Sequence, residues 1–178
     1  MGRQQIADIG ILGGSFDPPH NGHLKISKIA INKIKLKKLY WIITKKNPFK
    51  KKPLFSLRNR IVQSKKIVRN IKNIKVLYLE NIVKSRRSID IIKYILKKEK
   101  KSNIYLIIGS DILIKFHKWK SWKKIVKLTK LIVFSRKGYD RKSKESIVAK
   151  YINNKNIKFI KNKPIKFSSS KLREKYYK

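Results

Sequence analysis

Two histidines, His20 and His23, stand three residues apart where a helix should begin, with Gly22 between them. Residues at i and i+3 share a helix face, and the glycine leaves room for a ligand. Such a pair can donate hydrogen bonds to adjacent phosphates. The alternatives are a capping histidine beside a surface one, or half of a metal site. The chain has three histidines and no cysteine, which argues against zinc. Just upstream, Gly13, Gly14, Ser15 and Phe16 lead into Asp17-Pro18-Pro19. The glycines permit a close backbone approach, and the prolines fix φ and keep the loop extended. A glycine turn between a strand and a helix N-terminus seats a phosphate, because free N–H groups point at the anion.

Three further stretches carry chemistry. Ser168, Ser169 and Ser170 can cap a helix through Leu172 and offer hydroxyl and backbone donors to an anion. Arg173, three residues beyond Ser170, lies on the same side, and its planar fork suits phosphate oxygens. Gly109-Ser110-Asp111 ends an apolar run. A glycine there lets a sugar approach and an acid accepts its hydroxyls, although Asp111 is also a good helix cap. Trp119 lies in Phe116-His117-Lys118-Trp119, where an indole can cover a heteroaromatic ring. Trp122, three residues on, can equally be core, and His117 reads as a surface residue.

The elements that must position these residues alternate along the chain. Short apolar strands are expected at 6–12, 39–43, 74–79, 104–108, 131–134 and 157–160. Helical spacing follows in Leu24, Ile26, Ile29 and Ala30, ending near 34–36. A second helix runs from Leu57 to about Val68 behind Ser56 as N-cap, with Ile61, Lys65 and Val68 tracing one side and Arg60 in a structural role. A third runs to about Lys98, and a short one spans Glu145 to Tyr151. Between strand two and helix two, residues 44–53 form a cationic loop containing Pro48 and Pro53. It follows a strand end, where open parallel sheets place ligands. Lys50 is the candidate phosphate contact there, against the alternative of a solvated lysine run. Alternating strands and helices predict one three-layer α/β domain over residues 1–178, with a mostly parallel sheet and a right-handed first crossover.

The chain carries 49 Lys and Arg against nine Asp and Glu, a formal charge of +40. Lysine and isoleucine dominate together and the lysines are spread through every segment, as an AT-rich genome would give. Dedicated nucleic-acid recognition would need more than charge; weak, non-specific attraction to RNA follows from the field alone. The same field favours an anionic substrate. The N-terminus has no basic region followed by an apolar run and a cleavage site. No apolar run approaches the roughly 18 residues that would span a membrane. The absence of cysteine is compatible with the cytoplasm, and a cytoplasmic location is expected.

The Gly-Gly-Ser-Phe-Asp-Pro turn with His20-x-Gly22-His23 resembles the signature of the nucleotidyltransferase superfamily that carries a His-x-Gly-His motif. More closely, the chain resembles bacterial nicotinate-nucleotide adenylyltransferases, which join ATP and nicotinate mononucleotide. Phe167 to Arg173 matches the superfamily's Ile-Ser-Ser-Thr-x-Ile-Arg motif, with Ser170 in the threonine place. The landmarks run in the right order from Ile6 to Arg173.

The resemblance implies a Rossmann-like nucleotidyltransferase fold, with residues 168–178 as a C-terminal phosphate-binding helix. It implies that His20 and His23 contact the ATP phosphates, that the backbone of Gly14, Ser15 and Phe16 lies against the nucleotides, and that the serines and Arg173 face the triphosphate. Gly109 and Asp111 fall on the adenosine side, and Phe116 and Trp119 near the acceptor, with Trp122 packing the next helix. Arg136 holds a phosphate or a neighbouring loop, and Lys137 replaces a usual proline. Arg87-Ser88-Ile89-Asp90-Ile91 matches a run that normally begins Tyr-Thr and holds the nicotinate carboxylate through its amides. Ser88 replaces the threonine as a possible helix cap, Asp90 is retained, and Arg87 and Ile91 depart. Arg87 either adds a cation near that carboxylate or is a surface side chain.

The implied reaction is in-line attack of the acceptor phosphate on the α-phosphorus of ATP, with Mg²⁺ riding on the phosphates. The rivals are a sibling adenylyltransferase acting on nicotinamide mononucleotide or pantetheine phosphate, and an RNA-associated basic protein. The tryptophan segment argues against the pantetheine enzyme.

Overall fold

The computed structural model describes residues 6–46, 52–152, 154–162 and 169–174. Six strands form one sheet in the order β3-β2-β1-β4-β5-β6, and every pairing is parallel. In chain order the elements are β1 (Ala7–Gly14), α1 (Asn21–Ile34), β2 (Lys38–Ile43), α2 (Leu57–Val68), β3 (Ile74–Leu77) and α3 (Glu80–Val83). Then come α4 (Ser88–Lys98), β4 (Ser102–Gly109), α5 (Ser110–Lys115), α6 (Trp122–Leu128), β5 (Lys130–Phe134), α7 (Asp140–Lys144), α8 (Ile147–Tyr151), β6 (Ile157–Ile160) and α9 (Ser169–Glu174).

The sheet is buried on both faces, as a parallel sheet must be. Ile9 and Ile11 of β1 join one core cluster with Ile92, Ile95 and Leu106; Leu12 joins another with Ala30, Trp41 and Ile43. Helices cover both clusters, giving the three layers. The strand order turns around at β1: β2 lies on one side of it and β4 on the other. Ligands of open α/β sheets sit at such a switch point, beyond the carboxyl ends of the strands. Gly13 and Gly14 end β1 there, and Gly109 ends β4 there.

Four local expectations change. β3 stops at Leu77, because Leu79 turns into the core and Glu80 opens α3. On α2 the buried residues are Arg60, Ser64 and Val68, four apart, while Lys65 is exposed. The expected helix from Glu145 is broken: α7 ends at Lys144, and Ser146 caps α8 by accepting the Ala149 N–H. Ser88 is the first residue of α4 and not its cap; Arg87 holds the cap position and no side chain caps there. Ser56, by contrast, caps α2 as expected, accepting the Asn59 N–H.

Candidate active site

A cavity of about 700 Å³ opens over the β1 and β4 ends, within the usual range for a small-molecule site. Of the expected site residues, it brings together Gly13, Gly14, Ser15, Phe16, His20 and His23, together with Ser88, Gly109, Asp111, Trp119, Arg136 and Ser169. Its charged lining is lopsided. Lys46, Arg86, Arg87, Lys118, Lys120, Arg136 and Lys137 face a single carboxylate, Asp111. A cationic, partly enclosed cleft concentrates anions. Lys50 and Ser168 lie outside the described residues, and Ser170 is described only as backbone within α9.

The histidine pair closes the start of α1 reciprocally. His20 Nδ1 accepts the Gly22 N–H at 3.1 Å, and the His20 N–H donates to His23 Nδ1 at 3.2 Å. His20 is therefore both helix cap and cavity residue. With both Nδ1 atoms accepting, each neutral ring carries its proton on Nε2. That tautomer makes each imidazole an N–H donor. The rings lie 3.9 Å apart by centroid, and His23 packs on Phe16 at 4.6 Å. Phe16 in turn stacks on the fully buried Trp41 of β2 at 4.9 Å. Trp41 Nε1 donates to Ser27 Oγ, whose hydroxyl donates to His23 O. An aromatic column rooted in the sheet thus fixes His23.

Phe16 takes φ 47° and buries its ring almost completely, so it contributes backbone to the cavity floor. Gly13 faces open space: a Cβ there would meet nothing within 4 Å. Asp17, 2% exposed, accepts the Leu54 and Phe55 N–H groups, both at 2.9 Å, and ties the chain just before α2 to the turn.

At the β4 end Gly109 makes room for protein: a Cβ would run into Asp111 Oδ1 and lie 3.0 Å from Arg136 Nε. Arg136 Nε stands 3.2 Å from Asp111 Oδ1, yet among the described residues that buried oxygen accepts no hydrogen bond. A charged acceptor with spare capacity at a strand's carboxyl end suits a hydroxyl donor. The Arg136 N–H donates to Ser110 Oγ at 2.9 Å and to Asp140 Oδ1 at 3.0 Å, so the backbone of the turn is held while its side chain stays half exposed.

On the far wall Trp119 stacks on Phe116 at 4.7 Å. Phe116 itself is fully buried and does not line the cavity, which corrects its expected place beside the acceptor: it backs Trp119. Trp122 packs edge-on against Tyr151, as expected of a packing residue. Arg87 lines the cavity, and its Nε donates to Asp90 Oδ2 at 2.6 Å. Ser85 Oγ donates to the same oxygen at 2.7 Å. The Ser85 hydroxyl, and then Arg87, hold the Asp90 carboxyl below its ordinary range. Ile91 is buried and contributes an apolar patch to the wall.

Arg173 sits behind the turn. Its Nη1 donates to Asp17 O at 2.7 Å and lies 3.4 Å from Asp17 Oδ2. It is not among the residues lining the cavity. Ser169 does line it, and its Oγ donates to Pro18 O at 3.1 Å. Helix α9 therefore docks on the turn that follows β1. The reading of the sequence missed Asp17 as an organiser, although it stands inside the motif, and missed Tyr139, which lines the cavity just beyond Gly138. Among the described residues no cluster of three or more His, Cys, Asp or Glu side chains could hold a metal ion.

Residues 11–175 match a family model described as cytidylyltransferase-like. The chain is 48% identical to a probable nicotinate-nucleotide adenylyltransferase of Pelagibacter ubique, covering 96% of this chain and 94% of that protein. A probable nicotinate-nucleotide adenylyltransferase of Mesorhizobium japonicum is 35% identical over 80% of this chain and 73% of its own length. Among solved structures, the Plasmodium falciparum nicotinic acid mononucleotide adenylyltransferase complexed with NaAD superposes with a TM-score of 0.74. It is 20% identical and covers 94% of this chain and 83% of its own, a likeness of fold.

Proposed function

This chain belongs to the cytidylyltransferase-like family, among its nicotinate-nucleotide adenylyltransferases, and from that premise we infer its reaction. The enzyme joins ATP and nicotinate mononucleotide to give nicotinate adenine dinucleotide and pyrophosphate, a step of NAD biosynthesis. The observation that carries the reading is the pair of Nε2–H donors set over the glycine turn in a cavity lined by seven cations and one carboxylate.

An acceptor phosphate oxygen attacks the α-phosphorus of ATP, the bond to the bridging oxygen breaks, and pyrophosphate leaves. The nucleophile is already ionised, so no general base is needed. Catalysis comes from positioning and from donors aimed at developing charge. We assign His20, His23 and the turn amides to the ATP phosphates, with Ser169 and Ser170 completing the phosphate end; Arg173, which here bonds Asp17 O behind the turn, is assigned to that end by its motif. Ser168 is assigned there by its motif, and Lys50 as the candidate cation of the loop after β2. Gly109, Asp111 and Arg136 take the adenosine side. Trp119, Ser88 and the α4 N-terminus take the acceptor.

Mg²⁺ would neutralise phosphate charge. With one carboxylate in the cavity lining, it is carried on the phosphates and water and not caged by side chains. The whole chain acts as one domain, and no described helix is long and apolar enough to cross a membrane; we propose a cytoplasmic enzyme.

The test is an acceptor panel with ATP and Mg²⁺, scored by pyrophosphate release: nicotinate mononucleotide should be turned over, and nicotinamide mononucleotide and pantetheine phosphate much more slowly. Preference for either of the latter overturns the acceptor assignment. Trp119→Ala should raise the acceptor KM about tenfold with the ATP KM nearly unchanged. Equal effects on both would make Trp119 a packing residue.

The +40 charge gives no selectivity. Unrelated RNA oligomers should bind weakly, compete with ATP, and lose affinity steeply between about 50 and 200 mM salt. Adenylyl transfer should depend on salt less steeply, because closely held phosphates are screened less. One oligomer keeping submicromolar affinity at the upper salt, while its scrambled version does not, would revive the RNA-binding alternative.

A further inference from the structure

Arg60 is a charged side chain only 2% exposed, on the buried face of α2, outside the cavity. It makes no salt bridge among the described residues. Its guanidinium instead donates to four backbone carbonyls. Nη1 reaches Ser15 O at 2.5 Å and Thr44 O at 2.8 Å, Nη2 reaches Lys45 O at 3.0 Å, and Nε reaches Phe55 O at 3.1 Å. These carbonyls come from three places: the phosphate turn, the end of β2, and the chain returning towards α2. Only a planar fork with five N–H groups can span them; an ammonium cannot.

The bond to Ser15 O has a consequence for the cavity. The Ser15–Phe16 peptide is trans, since Asp17–Pro18 is the only cis bond among the described residues. In a trans peptide the N–H points opposite to the C=O. With the Ser15 carbonyl drawn to Arg60, the Phe16 N–H is turned the other way. Among the described residues it donates to no acceptor, and Gly14, Ser15 and Phe16 all line the cavity. A donor at the carbonyl also polarises the peptide and strengthens its N–H as a donor.

We propose that Arg60 is a positioning residue for adenylyl transfer: it orients and polarises the Ser15–Phe16 peptide so that the Phe16 N–H meets phosphate charge in the transition state. The assignment rests on the adenylyltransferase reading above. Arg60 touches no substrate; it acts through the turn.

The experiment compares wild type with Arg60→Lys and Arg60→Ala in the ATP and nicotinate mononucleotide assay, with thermal unfolding measured alongside. Arg60→Lys keeps the charge but loses the fork. It should lower kcat roughly 100-fold, with both KM values within about threefold. Methylguanidinium added to Arg60→Ala should restore part of kcat. A folded Arg60→Lys enzyme turning over within about threefold of wild type overturns the proposal.

If neither variant folds, the wild-type Phe16 amide decides. In protein labelled with ¹⁵N-phenylalanine its resonance should shift on adding a non-hydrolysable ATP analogue, and an unmoved resonance overturns the proposal. Failure of wild type to make the dinucleotide would instead count against the reaction, so the two failures are distinct.

Discussion

His23→Ala lowers kcat by roughly 100- to 1,000-fold, the usual loss when one preorganised donor to transition-state charge is removed. Nicotinate mononucleotide binding should change little. Two features make the loss large. The aromatic column of Trp41 and Phe16 holds the imidazole in place before substrate arrives, so no reorganisation is needed at the moment of transfer. The hydrogen bond at Nδ1 keeps the ring proton on Nε2.

The same bond makes His23 half of the α1 cap, so alanine also costs about 1 kcal/mol of stability. That corresponds to a Tm lower by about 2–4 °C for a chain of this size. His23→Gln separates the two effects. A glutamine at this position can reach back to the His20 N–H as in a capping box, so stability should return while turnover does not. Steady-state kinetics and thermal unfolding of the two variants decide it. Wild-type kcat in a folded His23→Ala enzyme would refute the catalytic role.

What the chain declared in advance was mostly local. Apolar runs such as Ile104–Ile108 specify buried strands because nothing polar interrupts them. The glycine turn and the i, i+3 histidines announce their chemistry because their partners are close in sequence. Ser146 illustrates a local signal that was present and overlooked, since a serine three residues before a buried turn is an ordinary cap. Other roles depend on residues brought together only by the fold. Arg60 could be read as structural from its helix, but its bond to Ser15 joins residues 45 positions apart. Arg173 and Asp17 are 156 positions apart, and their hydrogen bond places the arginine behind the turn. Gly109 was legible as a required glycine; the group that needs the space, the Asp111–Arg136 pair, was not. Phe116 shows the limit of composition, since burial and ligand contact select the same aromatic residue.

Gly13→Val should abolish transfer by at least about 100-fold while leaving the protein as stable as wild type or more so. Glycine in a strand loses more chain entropy on folding than other residues, by roughly 0.5–1 kcal/mol relative to alanine, and valine favours the pleated conformation. Gly13 has a regular place in β1, paired in register with Ile42, and no unusual φ. A Cβ there meets nothing within 4 Å, so the fold raises no steric objection. The space it enters belongs to the cavity, over the turn proposed above for the phosphates. Two methyl groups would hold a nucleotide off the backbone by more than the fraction of an ångström that in-line attack tolerates. Stability and activity should therefore move in opposite directions, which a residue needed for folding cannot produce. Thermal unfolding and ATP titration of Gly13→Val check it together: tight ATP binding with near wild-type turnover would show that the nucleotide does not pass over Gly13, and a fall in Tm of several degrees would show that the glycine serves the strand.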